Sequence, residues 1–285
     1  MSGSGGGPPV GAGTHRLAPL VTLTTDYGSG SGYPAQVKGV LLSAIPDLRI
    51  VDVSHGVPPF DVAAGALLLE ACVPAFPRDT IHLAVVDPGV GSSRLAICVV
   101  DVAGRRFVGP DNGLFTPFLE QGSRVFELTD PVAVPRPRRP TFHGRDLFAP
   151  AAAALAVGLD PEQLGPLVSD PVRLPWPGAE RSAGQVRGVT LAADPFGNLV
   201  TSIREEDLAG AEVRAALCDD LPARWVRTFA DGEPGELLMM VGSGGRVEVA
   251  VREGSAASHL HRWRGVEVRL LLGGAGSLGA PGAPC

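Results

Sequence analysis

The chain has 285 residues, 45% of them hydrophobic, enough for ordinary buried cores in one large domain or two modest ones. Its formal net charge of −6, with no long basic block, excludes the electrostatic footprint of a nucleic-acid or anionic-membrane binder. Cys72, Cys98, Cys218 and Cys285 are scattered with no C-x-x-C pair, which excludes a zinc knuckle or a disulfide framework and points to reduced thiols in a cytoplasm.

Taken in chain order, residues 1–16 are rich in Gly, Ser and Pro and have neither a basic nor an apolar signal region, so a disordered tail is expected. No apolar run approaches the roughly 20 residues that span a bilayer, and a soluble, cytoplasmic protein is expected. Over residues 17–170, β-rich runs alternate with helical patterns, which predicts an α/β domain with a central sheet flanked by helices. The strands are expected at Leu20–Thr25, Ile50–Val53, Ile81–Val86, Ala96–Asp101 and Arg124–Leu128. Helices are expected at Ala35–Ile45, Asp61–Cys72, Gly113–Leu119 and His143–Val157.

Pro171, Pro175 and Pro177 cannot continue a helix, and a linker is expected at 171–183. Beyond it, β-branched runs at Gln185–Ala192, Leu199–Ile203, Leu237–Val241 and Arg246–Val251 predict a smaller β-barrel-like domain over 184–273. The glycine-rich residues 274–285 read as a second disordered tail.

Polar clusters stand at strand ends and turns, where α/β sheets build their sites. In T-T-D-Y-G, Asp26 either caps a turn or takes the hydroxyl pair of a ribose. In V-V-D-P-G-V-G, Asp87 either starts a tight turn or pairs with Arg94, seven residues on, to orient a water molecule. Asp111 or Asn112 of G-P-D-N-G-L caps a helix or faces a ligand. His143 of T-F-H-G-R-D is a surface residue or a proton carrier.

In A-D-P-F-G-N, Asp194, Phe196 and Asn198 form a plain hairpin turn or together hold an amino-acid head group or a purine. Phe229 in T-F-A-D-G and Ser243 in V-G-S-G-G raise the same choice. No Walker A, dinucleotide or histidine metal motif is present, and neither metal nor cofactor is expected.

These pieces, with V-K-G-V-L-L-S-A-I-P-D, V-D-V-S-H-G-V-P-P-F-D and D-P-F-G-N-L-V-T-S-I, occur in an order and spacing that resembles the S-adenosylmethionine (SAM) hydrolases, also called SAM hydroxide adenosyltransferases, over roughly Leu20 to Leu271. The fluorinating and chlorinating enzymes are relatives of that family. The resemblance implies hydrolysis of SAM to adenosine and methionine. It also implies a homotrimer whose sites lie between the N-terminal domain of one subunit and the C-terminal domain of the next. By position it implies that Asp87, Arg94 and His143 are catalytic, that Asp26 holds the ribose, and that Phe60 lies at the substrate pocket. Asp194, Phe196 and Asn198 are implied to hold the methionine and nucleoside parts, and Ser243 the methionine carboxylate. Gly244 stands where the halogenating branch has arginine. That branch also has tyrosine at the Asp87 position and no histidine at the His143 position. A halide-dependent adenosyl transferase is therefore the weaker enzymatic alternative, and a non-catalytic SAM- or adenosine-binding module would not need Asp87, Arg94 and His143 together.

Overall fold

The computed structural model describes residues 18–129, 139–176 and 178–273. The two tails expected at 1–16 and 274–285, and Pro177 of the expected linker, lie outside the described residues.

The N-terminal half is a six-stranded sheet in the order β2-β1-β3-β5-β4-β6. Its strands are β1 (Leu20–Thr25), β2 (Arg49–Ser54), β3 (Ile81–Val85), β4 (Ala96–Val100), β5 (Arg106–Pro110) and β6 (Arg124–Glu127). The strands β2, β1, β3 and β5 run parallel, and β4 pairs antiparallel with both β5 and β6.

Side-chain alternation along the strands feeds two cores, as a sheet covered on both faces requires. Ile81, Leu83 and Val85 face one core with α1 (Tyr33–Ala44) and α3 (Ala149–Ala156), while Ala84 and Val86 face the other with α2 (Val62–Cys72). Helix α1 opens with a proline in its first turn, where a missing N–H costs nothing. It stops at Ile45, held extended before Pro46. Asp61 caps α2 by accepting from Ala64 N at 3.0 Å.

Two expectations are corrected. Gly113–Leu119 is not a helix: Pro117 lies in a single 3₁₀ turn, Thr116–Phe118, where Thr116 Oγ1 donates to Gly113 O at 2.6 Å, a local side-chain bond that competes with helix formation, and accepts from the distant Leu174 N at 2.8 Å. His143–Val157 is not one regular helix either, because a π-turn, Gly144–Phe148, precedes α3. Sheet strand β5 adds to the five strands expected.

The C-terminal half contains β7 (Glu180–Ser182), β8 (Gln185–Ala193), β9 (Leu199–Arg204), β10 (Val213–Cys218), β11 (Leu221–Trp225), β12 (Leu237–Val241), β13 (Arg246–Val251) and β14 (Glu267–Leu272). The ring β14-β10-β11-β12-β13-β9-β8 closes through the β14–β8 pairing, and β7 extends β8 outside it. Closure removes exposed sheet edges. The barrel docks on α2 through Leu67 packed with Leu191 and Ala192, and through Arg246, whose Nε lies 2.7 Å from Glu70 Oε2. Among the described residues no helix is long and apolar enough to cross a membrane.

Candidate active site

The carboxyl ends of β1 and β3, adjacent parallel strands, open onto a cleft of ≈290 Å³ whose walls include Asp26, Tyr27, Phe60, Asp87 and His143. Strand ends of this kind are where open α/β sheets bind ligands.

At the end of β3, Asp87 is gripped by Arg94. The guanidinium Nε donates to Asp87 Oδ1 at 3.0 Å and Nη2 donates to Oδ2. The two side chains are 5% and 9% exposed, respectively, so this is a buried, forked, charge-assisted pair rather than a surface contact. Nη2 also reaches His143 Nδ1 at 2.8 Å. A guanidinium only donates, so Nδ1 accepts and the proton of the neutral ring resides on Nε2. Arg94 is itself stacked 5.3 Å above Phe148 of the π-turn and does not line the cleft. It holds the two groups that do.

At the end of β1, Asp26 Oδ2 accepts from Phe60 N at 3.0 Å. Next to it, Thr25 Oγ1 lies 2.9 Å from His55 Nδ1, and Gly28 N donates to His55 O at 2.7 Å. The turn after β1 is thereby tied to the loop after β2. Burial first, then the charges of Asp26 and Asp87, pushes the Tyr27 phenol well above its ordinary value, so Tyr27 presents a protonated hydroxyl. That hydroxyl would lie 2.1 Å from a Cβ on Gly144. Only glycine lets the segment after His143 approach Tyr27 this closely.

The structure brings Asp26, Phe60, Asp87 and His143 to one cleft, with Arg94 behind it, and leaves the other candidates elsewhere. Asn112 spends its carboxamide on the backbone, donating to Val86 O at 2.8 Å and accepting from Leu114 N at 3.2 Å. It braces the end of β3 and does not line the cleft.

The Asp194 carboxylate accepts from Phe196 N at 2.9 Å, Asn198 N at 2.8 Å and Asn198 Nδ2 at 2.9 Å. Asp194 and Ser243 line a different groove, of ≈610 Å³, between α2 and the barrel. Burial, then Asp194, raises the Glu248 carboxyl in that groove. Phe196 and Phe229 stand 78% and 45% exposed and line neither space. Gly244 has no side chain to supply a cation, and nearby Arg246 is committed to Glu70, Thr201 O and Ser202 O. Among the described residues no group of three or more His, Cys, Asp or Glu is placed to hold a metal ion.

Sequence reasoning did not single out Tyr27, His55 or Gly144. All three lie inside the motifs quoted for the resemblance or beside their candidate residues, but the contacts that give them meaning are between segments distant in the chain.

A cleft at parallel strand ends, walled by a clamped carboxylate and an imidazole in a domain joined to a closed barrel, defines a two-domain enzyme of the α/β class. The family pattern described as SAM hydroxide adenosyltransferase N-terminal domain matches residues 21–165, and the corresponding C-terminal domain pattern matches 188–269. The chain belongs to this family.

A Salinispora tropica protein named (R)-S-adenosyl-L-methionine hydrolase is 42% identical over 260 residues, covering 90% of this chain and 98% of that one. A Thermus thermophilus protein of the same name is 41% identical over 266 residues, covering 88% and 99%. A fluorinase of Actinopolyspora mzabensis is 29% identical over 289 residues, covering 88% and 97%. Among solved structures, an uncharacterized conserved protein from Thermotoga maritima superposes with a TM-score of 0.81 at 32% identity, covering 88% of this chain and 99% of that one.

Proposed function

We propose that this protein hydrolyses S-adenosyl-L-methionine to adenosine and L-methionine, with water or hydroxide attacking the ribose C5′ and methionine departing. The observation that carries the reading is the buried assembly in which Arg94 grips Asp87 and donates to His143 at the cleft. The relatives named hydrolases at 41–42% identity support it.

The sulfonium carbon is already activated and its leaving group departs neutral, so methionine needs no general acid and the demand falls on the nucleophile. In this reading Asp87 orients the water and accepts its proton, since a carboxylate oxygen keeps a lone pair beyond the one given to Arg94. The His143 Nε2–H and the charge of Arg94 stabilise the hydroxide that forms. The Nδ1–Arg94 bond supports this division, because His143 can accept a proton only at the nitrogen that Arg94 occupies. Asp26 Oδ1 takes the ribose hydroxyls while Oδ2 is held by Phe60 N, fixing C5′ for in-line attack. No metal or cofactor enters this chemistry; SAM is the substrate.

The complete site, in this reading, lies between copies of the chain in a homotrimer. The cleft with Asp87 is lined only by residues up to Gly144, whereas Asp194 and Ser243 face another groove and Phe196 and Phe229 are exposed. A neighbour's barrel would bring those groups to this chain's cleft. A cytoplasmic setting fits the free thiols of Cys72, Cys98 and Cys218.

The test is product analysis of purified protein with SAM, with and without chloride. Adenosine and methionine in equal amounts, unchanged by chloride, is the expected result. A halogenated nucleoside, or no product, overturns the reading.

A further inference from the structure

Phe60 walls the cleft with a backbone that aromatic residues rarely adopt: its φ is +66°. Such a conformation persists only where its flanks are fixed. On one side Phe60 N is held by Asp26. On the other, Asp61 caps α2 and also meets the barrel, where Arg264 Nη2 lies 2.9 Å from Asp61 Oδ1 and 2.8 Å from Oδ2. Arg264 is oriented before it meets Asp61, since Nε donates to Leu191 O at 2.9 Å and the guanidinium stacks 4.4 Å above Trp263. A contiguous path of contacts thus runs from Arg264 through Asp61 and Phe60 to Asp26.

The second strut between the halves, Arg246 to Glu70, stands near the other end of α2, and Leu67 packs on the barrel between them. Docking of the domains therefore does not rest on Arg264 alone, and the pair at Asp61 is available for a local task.

We infer that Arg264 is a positioning residue for substrate binding: through Asp61 it holds Phe60, and with it Asp26, in the geometry that receives the ribose. The barrel of the same chain then sets the affinity of the cleft, whatever a neighbouring copy adds. The inference rests on the cleft being the SAM site.

Steady-state kinetics on SAM with Arg264→Ala, Asp61→Asn, the double variant and Arg264→Lys test it. Asn caps a helix as well as Asp does, so Asp61→Asn removes the ion pair while keeping α2 capped. Each single loss raises KM about fivefold, the scale of a partly exposed ion pair, with kcat held within about twofold. The double variant is no worse than either single one, and Arg264→Lys recovers most of the loss. Unchanged KM in both single variants, or a fall in kcat accompanied by a lowered Tm, overturns the inference alone when the wild type hydrolyses SAM and Asp87→Ala does not. A wild type that neither binds nor hydrolyses SAM overturns both readings.

Discussion

Arg94 Nη2 lies 2.8 Å from His143 Nδ1 while the same guanidinium clamps Asp87. One cation thereby sets the orientation of the carboxylate and the tautomer of the imidazole, and both groups depend on the one side chain.

Substitution at this cluster separates chemistry from binding. Asp87→Ala lowers kcat by about a hundredfold or more, the range of a lost general base, with KM changed little. Arg94→Lys keeps the charge but cannot reach both partners, and it is expected to lose turnover on a comparable scale. Steady-state rates on SAM read both, and near-normal kcat in Asp87→Ala would remove the carboxylate from the chemistry.

Gly144 is predicted to tolerate no side chain. A Cβ there would sit 2.1 Å from the Tyr27 hydroxyl and 3.3 Å from Phe142 Cε2, so Gly144→Ala displaces the turn that carries His143. Deleting the obstructing oxygen with Tyr27→Phe in the same chain restores part of the lost activity. Equal activity of Gly144→Ala and wild type would contradict the close packing.

Stability has an acid-sensitive element in the core. His82 is 1% exposed, bonded through Nδ1 to Thr22 Oγ1 at 2.8 Å and stacked on Phe107. Burial first lowers its pKa from 6.5 to about 4. The unfolded chain takes up this proton below its ordinary value while the folded chain resists until about 4. Stability is therefore whole above the unfolded pKa and falls as pH drops toward the folded one, by up to about 3 kcal/mol from this group. His82→Phe flattens that part of the curve, as urea midpoints at about pH 7 and about pH 4.5 will report. Identical slopes in variant and wild type would rule the imidazole out as the cause.

Subunit complementation tests the shared site. Asp26→Ala and Asp194→Ala are each expected to be nearly inactive. Denaturing and refolding them together should return a fraction of wild-type turnover, because some interfaces then combine an intact cleft with an intact barrel turn. Inactivity of the mixture, with both variants folded and assembled, would place both residues in one chain's site.

Local chemistry made much of this molecule legible in its sequence. Asp87 and Arg94 flank one turn at a strand end, and the alternation of Ile81 to Val86 gives β3 and its two-sided burial directly. The strands not expected include β5, R-F-V-G-P, β10, with paired alanines, and β11, with Pro222, none of which carries such a signal. Gly113–Leu119 has helix-like spacing, but a tertiary partner, Leu174 N, claims the Thr116 hydroxyl. The ties that shape the cleft were out of reach for the same reason. Thr25 meets His55 across 30 positions and Arg264 meets Asp61 across 203, and no local pattern encodes such pairings. The separation of Asp194 and Ser243 from the Asp87 cleft is likewise a property of domain placement.

Oxygen-18 labelling reads whether water is the nucleophile at C5′. Purified protein is incubated with SAM in oxygen-18-enriched water and the products are separated by liquid chromatography with mass detection. Adenosine carrying one heavy oxygen at the 5′ position and unlabelled methionine are the expected products. Unlabelled adenosine, or label in any product of cleavage at another bond, would contradict it.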